Sequence, residues 1–378
     1  MLKKLVEQIL MNVVPTKKKL WVFGSWEGKL YADNAKYLFE YVRKTHPEIN
    51  CVWLTQSEDV VKKLKQQGVP VYHKRSWRGV LTALRAEVAI ETEGNQDISQ
   101  LINSKKTKVI QLWHGMGAKA VKWKTADGIN FMLDPTVVQE RNRWYWMASC
   151  EKYIDVISEG MGVKEDRFII TGYPRNDTFI TKPYNENMEV LKKQHPDCKF
   201  IMYMPTHRNF GAESISVDEF YRIDKIFKEK NWIMVYKPHF HELKNILHLE
   251  SGFSNIILAK DQDLWADVYS YIHYFDLMIS DYSSISYDFL CSGKPIVQYT
   301  YDLEHYKNAD AGLFDFFEDV PLGPFCFSWD DVIFQIAALF EKDTWIDQRK
   351  KCQELFHPYN DGGNCKRVCD YILSLVDN

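Results

Sequence analysis

The chain has 378 residues, of which 46% are apolar and 26% charged, and its formal net charge is −3. That length exceeds one ordinary core, so two domains of roughly 150–200 residues are expected. The apolar content excludes a disordered chain, and the balanced charge excludes a general nucleic-acid binder.

The first residues, Met1 to Val14, are apolar with basic flanks, and Lys17, Lys18 and Lys19 follow. They read either as an amphipathic helix on an anionic membrane surface or as a helix packed on the domain. No apolar run approaches the ~20 residues needed to span a bilayer. No cleavable signal is visible, so a cytoplasmic location is expected. The eight cysteines include no CxxC pair, and reduced thiols rather than disulfides or a zinc site are expected.

Strand-like and helix-like segments then alternate. Lys19–Trp26 reads as a strand, Asn34–Thr45 as a helix, Cys51–Thr55 as a strand and Glu58–Gln67 as a helix. Val69–His73, Val88–Glu91 and Val109–Trp113 read as strands, with Trp77–Arg85 a helix among them. Lys152–Ser158 and Phe168–Thr171 look like the last strands of this half. The polar stretch Tyr173–Asn187 reads as a linker.

The rhythm resumes beyond it. Phe200–Met204, Trp232–Tyr236, Ile256–Leu258, Leu277–Ser280 and Pro295–Tyr299 read as strands. Val217–Glu229, Leu264–Tyr271, Ser284–Cys291 and Val332–Glu341 read as helices, and Trp345–Phe356 and Lys366–Val376 close the chain. Repeated βαβ units imply parallel sheets, whose ligands sit outside the carboxyl ends of the strands.

Four strand ends carry polar clusters. At the first, Trp113 leads into His114 and Gly115, with Gly117 and Lys119 beyond. A histidine at a strand end beside glycines can reach a cleft and act as a general base; a core histidine is the alternative. At the second, Thr206, His207 and Arg208 follow a strand, and the guanidinium can grip phosphate oxygens. At the third, Lys237, Pro238 and His239 suit phosphate contact. His239 with His241 lacks the further ligand a metal would need.

The fourth runs Ser280-Asp281-Tyr282-Ser283-Ser284. Asp281 or Ser283 can cap the following helix, whose free N–H groups and the hydroxyls of Ser283 and Ser284 make an anion site. The second half thus offers a diphosphate site and the first half a base. That is the layout of a transferase.

These clusters, in this order, resemble the CDP-glycerol glycerophosphotransferase family of teichoic acid synthesis. The likeness covers nearly the whole chain. It starts at Val22-Phe23-Gly24-Ser25-Trp26-Glu27-Gly28-Lys29 with Asp33-Asn34, and passes through Trp113-His114-Gly115 and Gly172-Tyr173-Pro174-Arg175-Asn176-Asp177. It continues through the Arg208, Lys237 and Ser283-Ser284 clusters to Phe356-His357-Pro358-Tyr359-Asn360-Asp361-Gly362. His207 departs from the pattern, which has an aromatic there.

The resemblance implies an α/β GT-B fold: two Rossmann-like domains with a cleft between them and a C-terminal helix crossing back. The corresponding division is a membrane-surface segment at 1–18, an acceptor domain at 19–172, a linker at 173–198, a donor domain at 199–343 and returning helices at 344–378. The resemblance also implies His114 and His239 as catalytic histidines. Arg208, Lys237, Thr206, Asp281, Ser283 and Ser284 would lie on the donor side, and Trp113, Gly115, Lys119 and Arg175 on the acceptor side or in the cleft. It implies CDP-glycerol as donor, a polyprenyl-diphosphate-linked disaccharide as acceptor, and a peripheral place on the cytoplasmic face of a bacterial membrane. No metal or other cofactor is expected, nor a nucleic-acid partner, and oligomer formation stays open. The length favours a primase adding one unit, or a short-acting transferase, over a large polymerase with an extra binding domain. Rival readings are a CDP-ribitol or capsule polyol-phosphate transferase, a UDP-sugar glycosyltransferase or epimerase, and a non-catalytic wall-assembly partner.

Overall fold

The computed structural model describes residues 2–118, 134–206, 208, 215–238, 252–259, 265–309, 313–314 and 316–377. The chain forms two compact α/β units. One comprises Met1–His114, Trp123–Asp177 and Tyr359–Asn378, the other Gly115–Lys122 and Thr178–Pro358.

The first unit holds strands β1 (Lys17–Phe23), β2 (Asn50–Thr55), β3 (Val71–His73), β4 (Ala86–Glu91), β5 (Lys108–Gln111), β6 (Tyr145–Ala148) and β7 (Phe168–Ile170). They form one sheet in the order 3-2-1-4-5-6-7, with every pair parallel. Helices Asp33–Thr45, Glu58–Gln66 and Trp77–Leu84 connect the early strands. Two of them start at serine caps, Ser57 accepting from Val60 N and Ser76 from Gly79 N.

Lys152–Ser158, expected as a strand, lies inside the helix Glu151–Met161, and the strand before it is β6. The buried residues Tyr153, Ile154, Ile157 and Met161 recur at helical spacing, and Gly162 ends the helix at φ 62°. The isoleucines and valine of this stretch imitate a strand only when read locally.

One core lies between this sheet and its helices, built on Trp21, Phe23, Phe39, Trp53, Val88 and Ile110. The last helix, Asn364–Val376, joins it through Val368, Cys369 and Ile372. Asp177 fixes that helix by accepting from Asn364 N at 2.9 Å and Cys365 N at 2.8 Å. Removing a fully buried ring such as Phe39 from such a core costs about 3–5 kcal/mol.

Residues Leu2–Val13 form a helix whose last turn is held by Asn103 and Lys106, which donate to the carbonyls of Met11 and Asn12. Ile9 and Val13 stay exposed. No helix among the described residues is long and apolar enough to cross a membrane.

The second unit holds β8 (Lys199–Met204), β9 (Trp232–Tyr236), β10 (Ile256–Leu258), β11 (Leu277–Ser280), β12 (Ile296–Tyr299) and β13 (Phe325–Cys326). Their order is 10-9-8-11-12-13, again parallel. Its core packs Ile201, Tyr203, Phe220, Phe227, Met234, Ile279 and Trp329. The helix expected over Leu264–Tyr271 is not continuous. Residues 260–264 lie outside the described residues, and the rest carries short 3₁₀ turns at Val268–Ser270 and Ile272–Tyr274. All eight cysteines are free.

Each sheet has one place where the strand order reverses, between β1 and β4 in the first and between β8 and β11 in the second. Connections leave in opposite directions there, and it is beyond the carboxyl ends at such points that α/β sheets bind their ligands.

Candidate active site

In the first unit, the chain leaving β5 turns sharply. Trp113 has φ 55° and Gly115 φ 113°, so His114 stands between two residues in the left-handed region. Gly115 adopts this freely, whereas for a tryptophan it costs of order 1–3 kcal/mol and persists only where neighbours enforce it. They do so here. Gln111 Oε1 accepts from Trp113 N at 2.8 Å, and Asn34 Nδ2 donates to Trp113 O at 2.9 Å. Asn34 Oδ1 in turn accepts from Arg175 N at 3.2 Å.

Arg175 pairs with Asp33, Nη1 to Oδ1 at 2.7 Å, and both side chains are buried. Asp33 Oδ2 accepts from Trp26 Nε1 at 3.1 Å. The imidazole of His114 stacks on Trp113 at 4.5 Å between centroids, and Trp26 lies 6.4 Å away on a tilted plane. Three expected site residues, Trp113, His114 and Arg175, are thus joined through Asp33 and Asn34. Those two were legible only as part of a motif, with no role attached.

His114 is half-buried, and its Nδ1 makes no hydrogen bond among the described residues. Burial pushes the imidazole below its ordinary 6.5. The Asp33 carboxylate opposes that shift, Arg175 adds to it, and the backbone of Thr92 opposes it. The ring is therefore neutral at pH 7, the state a general base needs. Nearby, Glu93 follows β4, and its carboxyl is raised to about 7. Burial is the main cause, helped by the carboxylates of Asp97, Glu27 and Asp33 and opposed by Lys29.

In the second unit, β8 and β11 deliver their residues side by side. Asp281 accepts from Thr206 N at 2.9 Å, from Thr206 Oγ1 at 2.7 Å and from Tyr282 N at 2.7 Å. Arg208 Nη2 lies 2.8 Å from Asp281 Oδ2, and its Nε bonds Asp302 Oδ2 at 2.6 Å. Its Nη1 donates to Thr206 O at 2.7 Å, and the rings of Tyr282, Tyr301 and Tyr306 surround the guanidinium at 5.1–5.5 Å. Thr206, Arg208 and Asp281 therefore come together as expected. The guanidinium, expected to grip a phosphate, is instead buried and committed to two carboxylates inside the protein.

Ser283 and Ser284 open the helix Ser284–Phe289, and both are half-buried. The expected cap is not made: Ser283 makes no capping bond, and Asp281 serves Thr206 and Tyr282 N. The hydroxyl of Ser283 is left for other use. Gly117 rests against Ser284, and a Cβ on the glycine would stand 3.5 Å from the serine Cβ. Lys237, just past β9, holds its backbone N–H to Tyr203 O at 2.9 Å. Its ammonium makes no ion pair among the described residues. Burial lowers it to about 8, against the pull of Asp267. Lys119, His207 and His239 lie outside the described residues.

A family model described as CDP-Glycerol:Poly(glycerophosphate) glycerophosphotransferase matches residues 7–374. The chain is 25% identical to the teichoic acid glycerol-phosphate transferase of Staphylococcus aureus (strain NCTC 8325 / PS 47), with 98% of each chain covered. It is 26% identical to the teichoic acid glycerol-phosphate primase of Bacillus subtilis (strain 168), covering 74% of this chain and 71% of the primase. The solved structure of the wall teichoic acid polymerase TagF matches with a TM-score of 0.80 at 22% identity, over 100% of this chain and 96% of that one. The two parallel-sheet α/β units are therefore of the GT-B fold class that the resemblance implied.

Proposed function

Because the chain belongs to the CDP-glycerol:poly(glycerophosphate) glycerophosphotransferase family, we propose that it moves glycerol phosphate from CDP-glycerol to a hydroxyl of a polyprenyl-diphosphate-linked disaccharide, releasing CMP. The product would enter a teichoic acid or related wall polymer, with this enzyme adding the first unit.

The acceptor oxygen attacks the phosphorus that bears glycerol. A bond forms between them, the bond from that phosphorus to the bridging oxygen of cytidylate breaks, and CMP leaves with the electron pair. His114 takes the acceptor's proton. Lys237, Ser283 and Ser284 hold the diphosphate, and Lys237 with His239 offsets the growing negative charge. Fixed cations then supply the electrostatic stabilisation on which phosphoryl transfer depends, with no metal assigned a part. Arg208 has a supporting part, fixing Asp281 and through it the ends of β8 and β11.

The observation that carries this reading is the His114 turn. A neutral imidazole whose buried Nδ1 makes no hydrogen bond among the described residues is held at a strand end by a backbone in two left-handed steps. A CMP-release assay tests it with CDP-glycerol, CDP-ribitol and UDP-GlcNAc, each with and without a lipid-linked disaccharide. CMP release from CDP-glycerol that depends on the acceptor is expected. Turnover of the UDP-sugar alone, or of none, overturns the reading. Preference for CDP-ribitol would change the polyol and leave the chemistry.

A further inference from the structure

The carboxyl ends of β1, β4 and β5 neighbour one another in the first sheet, and β1 and β4 flank the reversal of strand order. Past β1 the chain does something costly. Trp26, Glu27 and Gly28 take φ values of 50°, 56° and 78° in succession. Only the glycine does so freely; for Trp26 and Glu27 the left-handed region is strained.

The surroundings hold this turn from several sides. Glu27 N donates to Asp97 Oδ1 at 2.6 Å, and Lys74 Nζ donates to Glu27 O at 2.6 Å. Gly28 O accepts from Thr55 Oγ1 at 2.6 Å. Asp97 also accepts from Thr92 N and Glu93 N, so one buried carboxylate joins the β1 turn to the β4 loop. Strain enforced to this degree clusters where a side chain must be presented.

The side chain presented is Trp26. Its only polar atom is satisfied by Asp33, which leaves the half-buried indole to meet a ligand with its ring face. The ring stands 6.4 Å from that of His114. Holding His114 does not require it, since Trp113 and Asn34 already do so. Glu93, on the adjoining strand end, has its backbone N–H fixed by Asp97, and its carboxyl makes no hydrogen bond among the described residues.

We propose that Trp26 and Glu93 form a subsite for an uncharged sugar ring, the ring whose hydroxyl is presented to His114. The inference rests on the transferase reading and names the acceptor's reacting end. The apolar C–H face of a pyranose covers an indole, and sugar hydroxyls donate to a carboxylate. A growing chain that ends in glycerol phosphate offers no ring face, and its phosphate can neither stack on the indole nor donate to Glu93, whose ionised form repels it. The subsite therefore selects the first transfer onto a sugar over later transfers onto a polyol phosphate.

The test uses the full chain and two soluble acceptors, an alkyl-diphosphate disaccharide and the same molecule carrying one glycerol phosphate. Calorimetry is expected to show Trp26→Ala weakening disaccharide binding at least tenfold and Trp26→Phe a few-fold. Glu93→Gln is expected to weaken it several-fold. CDP-glycerol affinity should stay within twofold in all three. In wild type, kcat/KM for the disaccharide should exceed that for its glycerol phosphate adduct at least tenfold. Unchanged disaccharide affinity in Trp26→Phe and Glu93→Gln, the mildest changes for folding, overturns the subsite, as does equal use of the two acceptors. The binding arm needs no turnover, so a wild type that binds the disaccharide through Trp26 yet releases no CMP would refute the transferase reading and leave the subsite standing.

Discussion

Arg208 and Asp302 meet in a two-point contact, Nε to Oδ2 at 2.6 Å and Nη2 to Oδ1 at 3.2 Å, although 94 residues separate them. The pairing closes a buried unit in which Asp281 takes the remaining face of the fork and Tyr282 Oη donates to Asp302 at 2.9 Å. Burial works against the guanidinium charge, but the two carboxylates outweigh it and keep the arginine protonated.

Arg208→Ala should therefore act on stability before it acts on donor affinity. The change leaves two buried carboxylates facing each other without a cation, and breaking such a pair costs about 3–5 kcal/mol. Urea denaturation of the variant should show a loss of that size. Arg208→Lys should fall short of rescue, because an ammonium cannot make the forked contact. Wild-type stability with donor binding lost would instead return Arg208 to a direct phosphate role.

Lys237 gives a pH signature. Its ammonium titrates at about 8 in the folded protein against 10.5 for a free lysine. A diphosphate stabilises the charged form, so binding takes up a proton once pH exceeds about 8. CDP-glycerol affinity should be flat below that value and fall as pH rises through it, by up to tenfold per unit. Folding stability should move the other way between 8 and 10.5, since the unfolded chain binds the proton more tightly there. Lys237→Met should weaken donor binding and flatten its pH dependence. A slope that survives the substitution would assign the proton to another group. A chelator should leave turnover unchanged.

Much of the fold was legible because the signals were local. Trp232–Tyr236, Ile256–Leu258 and Leu277–Ser280 are apolar runs stopped by polar or turn residues, and Val217–Glu229 has an amphipathic spacing and a serine cap. The strand ends at His114 and Ser283 could be found in the same way. The partners that define the site could not. Asp33 and Arg175 lie 142 residues apart, and nothing in either segment announces the pair. The opposite error, a strand at Lys152–Ser158, came from trusting local β-branched content over the burial pattern of the whole helix.

The N-terminal helix offers a separable test. Its last turn is tied to Asn103 and Lys106, and Ile9 and Val13 point to solvent. Three lysines follow at positions 17–19, each contributing about 1 kcal/mol near an anionic surface. Removing residues 1–14 should release the protein from phosphatidylglycerol vesicles while sparing turnover of a soluble acceptor. Vesicle binding equal to that of the full chain would leave the helix a purely packed element.

The Asp33 network controls the proposed base through charge as well as position. His114→Ala should lower kcat by about 10²–10⁴ with little change in CDP-glycerol affinity. In wild type, kcat/KM should rise with pH through an apparent pKa below 6.5, because burial holds the imidazole under its ordinary value. Asp33 is the carboxylate that opposes this shift, and Arg175 is a cation that promotes it. Asp33→Asn keeps an acceptor for Trp26 but removes the negative charge, leaving Arg175 unbalanced. The imidazole should then lose its proton at still lower pH, and the rising limb should move down the pH scale. An Asp33 that served structure alone would lower the plateau and leave the limb where it was. A limb that moves upward would contradict the proximity of Asp33 and His114 on which the assignment of the base depends.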